Sequence, residues 1–336
     1  MAAPVVPTVM AKTVAAPFDV TPFVHPDLRA AAEQLKAFRT GGDITGASLE
    51  GARKGQSAYV LPPLEAPAYR EAIIPGPRGN PNLRVFVVNE GDKGMPRAAI
   101  LHMHGGGFIL GAAETELNEI QKTAAELDCV IVTVDYRLAP ETRFPGSLED
   151  NYAALKWLYA HADELGVDRS RIAVMGGSAG GGHAAMLAIA ARNRGEVPIC
   201  FQALTYPMLD DRTGSTVQKP PQMGALIWTP GSNRFGWTSL LGVPAGSRKV
   251  PPGSVPARET NLTGLPPTLI GVGTIDLFFD EDVEYARRLA GAGVLVELAV
   301  APGCFHGFTR FETAPVTQRY NKHFMGALRA GLSIEQ

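Results

Sequence analysis

The sequence predicts an α/β protein in which an eight-stranded, mostly parallel sheet is flanked by helices and covered by a helical cap. From about residue 70, short apolar runs alternate with longer helical patterns, an order typical of a doubly wound sheet. Most of the later runs show little polar alternation, which indicates strands buried on both faces. The chain has 336 residues, of which 45% are hydrophobic and 19% charged, so it can bury a large core.

Charge and composition exclude several classes of function. Lysine and arginine number 31 against 33 acidic residues, a formal net charge of -2, and no basic stripe is present, so we expect no nucleic-acid partner. No apolar run reaches the roughly 18 residues of a membrane span, and no secretory signal is evident. Cys129 and Cys200 lie in apolar runs and Cys304 is the third cysteine, so no disulfide framework is predicted and a cytoplasmic location is expected.

The pattern assigns the individual elements in order. Strands are predicted at residues 71–74, 83–88, 98–103, 129–134, 171–175, 199–204, 268–273 and 294–300. Helices are predicted at about residues 28–38, 147–158, 181–189, 280–289 and 316–328, the second capped by Ser147 with Asp150 in the capping-box position. Asp280, Glu281 and Asp282 fall in the first turn of the fourth helix, where capping and the helix dipole explain them.

Two segments lie outside the α/β rhythm. Residues 1–65 have little β character and are predicted to form an N-terminal cap segment. Residues 207–260 contain eight prolines together with Trp228 and Trp237, and they are expected to carry short helices over the carboxyl edge of the sheet. The α/β domain itself would then comprise residues 66–206 and 261–336.

The sequence Gly-Gly-Ser-Ala-Gly at residues 176–180 places Ser178 between a strand and a helix of small residues. A serine on so sharp a turn has its hydroxyl raised above the sheet. The residues on either side of it must be small, and glycines meet this requirement. The alternative is a glycine-rich phosphate loop, but no Lys-Ser or Lys-Thr pair follows. Ser178 is therefore the candidate nucleophile.

A second glycine run, His-Gly-Gly-Gly-Phe at residues 104–108, also follows a predicted strand. Successive glycines let backbone N–H groups converge without side-chain obstruction, so the loop can donate to an oxyanion together with Ala179 N–H. A flexible turn is the alternative, although a bare turn would not need so many glycines. We expect His104 to hold this loop through hydrogen bonds.

A serine nucleophile needs a base, and the base needs an orienting acid. His306 is the best of seven histidines, because it follows the last predicted strand through a short loop. Asp276 is the best acid, because it comes just after the strand at residues 268–273. Ser178, Asp276 and His306 would thus meet at one edge of the sheet.

With these motifs in place, the chain resembles the hormone-sensitive-lipase-like branch of the α/β-hydrolases, the bacterial family IV carboxylesterases. The resemblance covers roughly residues 80–330 and rests on residues 104–108, 135–141, 176–182, 276–281 and 306–308. It implies the α/β-hydrolase fold, a Ser178–His306–Asp276 triad, and Gly106, Gly107 and Ala179 as oxyanion donors. Residues 135–141 look structural in that family, with charges that pair beneath the site. Gly177 and Leu277 depart from the family pattern, which commonly has Asp and Pro there, and Leu277 is expected to loosen the acid loop.

The resemblance implies a serine carboxylesterase that acts on short- to medium-chain acyl esters through an acyl-enzyme. It needs no cofactor and no metal, its partner is a small-molecule ester, and a homodimer is possible. An amidase, a lactone hydrolase and a catalytically silent receptor on the same fold stay open as alternatives. Four aromatic side chains are candidates for substrate binding: Phe108, Tyr206, Trp237 and Phe305.

Overall fold

The computed structural model describes residues 18–38, 42–56, 60–91 and 94–334. Its centre is one eight-stranded sheet with the spatial order β1-β2-β4-β3-β5-β6-β7-β8. The strands are β1 (Tyr69–Ile74), β2 (Leu83–Val88), β3 (Arg97–Met103), β4 (Val130–Val134), β5 (Val167–Gly177), β6 (Phe201–Thr205), β7 (Thr268–Gly273) and β8 (Val296–Ala301). β2 pairs antiparallel with both β1 and β4, and every other neighbouring pair is parallel. The predicted fold class is confirmed.

The strands lie where the apolar runs predict them. All residues of β3, β4 and β7 are buried, as expected for central strands with helices on both faces. β5 is longer than predicted and continues to Gly177, so Ser178 follows its last residue directly. The strand prediction therefore holds, with element ends shifted by a few residues.

Helices cover both faces of the sheet. They are α1 (Arg29–Phe38), α2 (Leu49–Gln56), α3 (Leu117–Leu127), α4 (Gly146–Ala160), α5 (Ala162–Leu165), α6 (Ala179–Arg194), α7 (Pro230–Leu241), α8 (Phe279–Gly291) and α9 (Pro315–Gly331). Among the described residues, no helix combines the length and apolar character needed to cross a bilayer.

The prediction that Ser147 caps α4 is wrong. The helix begins at Gly146, so Ser147 lies inside the first turn, and its hydroxyl has no hydrogen-bond partner in the described part of the chain. Asp150 binds Arg137 instead of returning to the helix start, with an Nη2–Oδ1 distance of 2.7 Å. The guanidinium binds both carboxylate oxygens of Asp150 and carries the opposite charge, which a backbone N–H at the helix start does not.

The N-terminal and the inserted segments contact each other. Thr229 Oγ1 donates to Asp43 Oδ1 at 2.6 Å, and Ile44 N donates to Ser232 Oγ at 2.9 Å. The insertion holds α7 and a short 3-10 helix at Pro256–Arg258, as its composition predicts. Of the predicted N-terminal cap, residues 1–17, 39–41 and 57–59 lie outside the described residues. The assignment of both segments as a cap stays a prediction.

The charges of residues 135–141 pair as the resemblance implies. Asp135 Oδ2 lies 2.9 Å from Arg84 Nη2 on β2. Glu141 Oε1 accepts from Arg53 Nη1 of α2 at 2.8 Å. Together with the Arg137–Asp150 pair, these contacts tie the loop after β4 to the N-terminal segment and to α4.

Candidate active site

Ser178 lies on a strained bend between β5 and α6. Its φ of 58° and ψ of -124° are unfavourable for a residue with a side chain. The bend needs glycine behind it, because a methyl group on Gly180 would lie 2.0 Å from the carbonyl oxygen of Met103. Ser178 N–H donates to Thr205 O at 2.9 Å, and Ser178 O accepts from Met208 N at 2.9 Å. The hydroxyl is thus held at the carboxyl edge of the sheet by contacts with neighbouring elements.

The loops after β7 and β8 bring Asp276 and His306 to this hydroxyl. His306 Nε2 lies 2.9 Å from Ser178 Oγ, and His306 Nδ1 lies 2.9 Å from Asp276 Oδ2. Asp276 is completely buried, and its Oδ1 accepts from Phe278 N–H at 2.9 Å. Side chains 98 and 30 residues apart in the sequence are therefore joined in one hydrogen-bonded chain.

Two aromatic rings hold the imidazole of His306 in place. The Tyr206 ring meets it edge-on at a centroid distance of 4.7 Å, and the Phe278 ring does so at 5.1 Å. Tyr206 is fixed in turn by a 2.7 Å hydrogen bond between its hydroxyl and Thr309 Oγ1. The imidazole is 4% exposed, so its orientation is set by packing as well as by Asp276.

Residues 104–108, hereafter the glycine loop, lie beside the serine. Gly106 has a φ of 122° and Gly107 a φ of 61°, conformations that favour glycine. In the described part of the chain, the backbone N–H groups of Gly106, Gly107 and Ala179 donate to no protein acceptor. These three predicted oxyanion donors are therefore free to receive a ligand.

His104 is turned into the protein, away from the triad. Its Nδ1 lies 2.7 Å from Gly105 O, and its ring stacks on Tyr136 at a centroid distance of 4.1 Å. Tyr136 OH donates to His104 O at 2.7 Å. Burial lowers the pKa of His104, which favours the neutral ring. These contacts agree with a loop-holding role.

The four predicted substrate-binding residues have different surroundings. Tyr206 contacts the ring of His306. Phe108 and Trp237 pack edge-on against each other in the main core, and Phe305 is buried against Phe311. Direct substrate contact by Phe108, Trp237 and Phe305 stays a prediction.

Trp228 of the insertion also packs against the glycine loop. A methyl group on Gly107 would lie 2.0 Å from its ring. The preceding residue, Ile227, has a φ of 62°, and its Cδ1 would lie 3.2 Å from a methyl group on Gly307, the neighbour of His306. The insertion therefore reaches both sides of the site. The sequence shows that the insertion contains two tryptophans, but it does not show how far they reach into the site.

Capping does not explain the acids of α8 as predicted. Glu281 Oε1 accepts from Leu209 N at 2.7 Å and Asp210 N at 3.1 Å, so it binds the segment after β6. Asp282 is fully buried, and neither of its carboxyl oxygens has a hydrogen-bond partner among the described residues. Only Asp280 is exposed, and it pairs with Lys219 Nζ at 2.7 Å.

The two departures from the family pattern are accommodated by packing. A methyl group on Gly177 would lie 3.5 Å from the Tyr206 ring, so this position faces the aromatic support of His306. Leu277 is completely buried, and its Cδ1 would lie 3.1 Å from a methyl group on Gly224. Such packing does not support the expected loosening of the acid loop. Among the described residues, no three His, Cys, Asp or Glu side chains are grouped as metal ligands.

Comparisons with known proteins identify the family and the fold of this chain. Residues 100–310 match a family described as having the alpha/beta hydrolase fold. Esterase LipI of Mycobacterium tuberculosis is 34% identical over 78% of this chain and 82% of its own. Ethyl acetate hydrolase of Pseudomonas putida is 32% identical over 68% of this chain and 71% of its own. Among solved structures, a bacterial heroin esterase is 38% identical with a TM-score of 0.85, over 94% of this chain and 99% of its own.

These matches confirm the predicted family and fold, and the esterases among the relatives agree with the predicted enzyme class. The chain belongs to the hormone-sensitive-lipase-like branch of the α/β-hydrolase family.

Proposed function

We propose that the protein is a serine carboxylesterase that hydrolyses short- to medium-chain acyl esters. The observation that carries the proposal is the hydrogen-bonded chain from Asp276 through His306 to Ser178, with 2.9 Å at both steps. Nucleophilic acyl transfer needs this order of acid, base and nucleophile. The names of the relatives, which include esterases and an ethyl acetate hydrolase, support the choice of an ester bond.

The reaction begins when Ser178 Oγ attacks the ester carbonyl carbon and its proton passes to His306 Nε2. Asp276 holds the imidazole through Nδ1 and stabilises the imidazolium that forms. The carbonyl oxygen becomes an oxyanion, which the N–H groups of Gly106, Gly107 and Ala179 receive. Ala179 begins α6, so the positive end of the helix dipole also favours the negative charge.

The tetrahedral intermediate collapses as the alcohol leaves with the proton from His306. Water then attacks the acyl-enzyme with His306 as base, and the acid is released with Ser178 restored. The proposed reaction uses no metal and no organic cofactor, because the nucleophile, the proton carrier and the oxyanion donors are all protein groups.

Crowding at the site supports a small acyl group. Trp228 packs on Gly107, and Ile227 lies over Gly307, so side chains of the insertion border both the glycine loop and the base. The ethyl acetate hydrolase among the relatives is consistent with a short chain. A homodimer and a cytoplasmic location stay predictions from the sequence.

The test is a rate profile over p-nitrophenyl esters from acetate to palmitate, for the wild type and for S178A. We expect the highest kcat/KM on acyl chains shorter than palmitate and no measurable turnover by S178A. S170A is the matched control, since Ser170 lies on the same strand and its hydroxyl donates to Asp168 Oδ1, away from Ser178. Turnover retained by S178A would refute the assignment of the nucleophile.

Two further outcomes separate the alternatives. A silent receptor would leave the wild type unlabelled by a fluorophosphonate probe, whereas the proposed enzyme is labelled at Ser178. An amidase would hydrolyse p-nitroacetanilide faster than p-nitrophenyl acetate. The imidazole bonded to Ser178 favours the active enzyme over a receptor.

A further inference from the structure

A second carboxylate–imidazole pair lies next to the glycine loop. Glu116 Oε2 is 3.2 Å from His102 Nε2, and His102 Nδ1 is 3.0 Å from Thr133 Oγ1. His102 and Thr133 are register partners on β3 and β4, and both are buried. The pair is therefore anchored to the centre of the sheet, and the mechanism above does not use it.

The other carboxylate oxygen of Glu116 binds the loop itself. Gly105 N–H donates to Glu116 Oε1 at 3.1 Å. A methyl group on Gly105 would lie 3.6 Å from that oxygen and 3.7 Å from Ser178 Cβ. The peptide that Glu116 holds is thus in contact with the bend that carries the nucleophile.

Both peptide groups of Gly105 are fixed, and this sets the direction of the next N–H group. Glu116 holds the N–H of Gly105, and His104 Nδ1 donates to its carbonyl oxygen at 2.7 Å. Because a peptide unit is planar, the carbonyl of Gly105 and the N–H of Gly106 share one plane. Fixing Gly105 at both ends therefore orients the first predicted oxyanion donor.

The carboxylate is well suited to this contact. Its side chain is 21% exposed. Burial opposes ionisation of Glu116, but the hydrogen bond from His102 Nε2, together with the positive charge of Arg310, outweighs it and lowers the pKa of Glu116 to about 2. Glu116 is ionised at neutral pH, so both of its oxygens are acceptors, one for Gly105 N–H and the other for His102 Nε2.

We propose that Glu116 is a positioning residue that holds the N–H groups of the glycine loop toward the oxyanion of the transition state. The inference rests on the proposed function, since it assumes that Gly106 and Gly107 are oxyanion donors. Glu116 acts through Gly105 and touches no reacting atom.

Three substitutions separate acceptor geometry from charge. E116A removes both contacts, and E116D keeps the charge but shortens the side chain by one methylene, so neither can hold Gly105 N–H in place. E116Q keeps an acceptor for Gly105, and its amide nitrogen can donate to His102 Nε2 because Thr133 Oγ1 can accept from the other ring nitrogen. E114Q is the matched control, since Glu114 lies in the same 3-10 turn and binds Arg84, away from the loop.

We expect E116A and E116D to lower kcat by roughly 10- to 100-fold with KM changed less than about threefold, because a small misplacement of transition-state donors has effects of this size. E116Q and E114Q should stay within about threefold of the wild type. If thermal unfolding shows that E116A does not fold, the proposal is tested by comparing the kcat of E116D with that of E116Q. Equal loss in E116D and E116Q, or no loss in any Glu116 variant, would overturn the proposal.

A trifluoromethyl ketone gives a readout that a purely structural role would not move. Ser178 Oγ bonds to the ketone carbon, its proton passes to His306, and the ketone oxygen becomes an oxyanion in the donor site. In E116D the affinity for this ketone should fall by the same factor as kcat, while affinity for the neutral alcohol analogue is retained. A lowered kcat with unchanged ketone affinity would refute positioning.

Failure of this inference differs from failure of the proposed function. If S178A keeps its activity, the catalytic assignment is wrong, and the activities of the Glu116 variants cannot be interpreted as effects on an oxyanion. If S178A is inactive but E116D equals the wild type, the esterase stands and Glu116 does not position the loop.

Discussion

Replacing Asp276 with asparagine should disable the enzyme by moving the proton of the neutral His306 ring from Nδ1 to Nε2. Asp276 Oδ1 accepts from Phe278 N–H at 2.9 Å, and Oδ2 binds His306 Nδ1 at 2.9 Å. In D276N the backbone N–H of Phe278 still requires an acceptor, so the amide oxygen takes that side and the amide NH2 faces the imidazole. His306 must then carry its proton on Nε2, which points at Ser178.

An imidazole protonated on Nε2 cannot accept the proton of the serine hydroxyl. Loss of the correct tautomer in a serine triad lowers kcat by roughly 10⁴-fold. At 1.36 kcal/mol for each factor of ten, this corresponds to about 5 kcal/mol of transition-state stabilisation. KM should change little, since the Asp276 side chain is fully buried and is not accessible to a substrate that enters from the solvent.

The assay is steady-state hydrolysis of p-nitrophenyl acetate by the wild type, D276N and the control D280N. Asp280 lies four residues on, is exposed and pairs with Lys219, so D280N should keep wild-type activity. The ¹⁵N shifts of His306 in D276N should show the proton on Nε2. A loss below tenfold in D276N would refute the argument from the Phe278 N–H.

Two further predictions concern the insertion and α8. I227G should preserve or raise the melting temperature, because a β-branched residue at a φ of 62° stores about 1–3 kcal/mol of strain. The same substitution should shift the rate profile toward longer esters. An unchanged rate profile would show that Ile227 does not line the acyl pocket. D282N should stabilise the protein. Burial raises the pKa of the Asp282 carboxyl in the folded state well above 3.8, whereas in the unfolded state the carboxyl ionises near that value. The carboxyl therefore lowers the free energy of unfolding increasingly as the pH rises above 3.8. Urea unfolding should show a gain of about 1–3 kcal/mol at pH 8 and a smaller one at pH 4; an equal gain at both would contradict the charge argument.

The strands and the triad could be predicted because one rule governs both. A buried parallel strand requires a run of apolar residues, and the ends of such runs meet at a single edge of the sheet. Ser178, Asp276 and His306 each follow a run of this kind, so the topology alone predicts that they lie at one edge of the sheet. The eight runs were long enough for errors of a few residues at their ends to be harmless.

Contacts made by the connecting segments could not be predicted in the same way. Glu116 reaches Gly105 because the chain turns back after the glycine loop, and no periodicity encodes that path. Glu281 looks like a capping residue by position, yet it binds backbone N–H groups of the segment after β6. Ser147 likewise has the right residue type near a helix start, but Arg137 draws Asp150 away. In each case a tertiary partner outcompetes the local one.

The two carboxylate–imidazole pairs share a geometry but differ in whether the histidine can change its tautomer. Asp276 and Glu116 each bind a ring nitrogen with one oxygen and a backbone N–H with the other, at Phe278 and Gly105 respectively. His306 has no choice of tautomer, because its second nitrogen faces a serine that must lose a proton. His102 has one, because Thr133 Oγ1 can donate or accept. The amide that we expect to abolish catalysis at position 276 should therefore be tolerated at position 116.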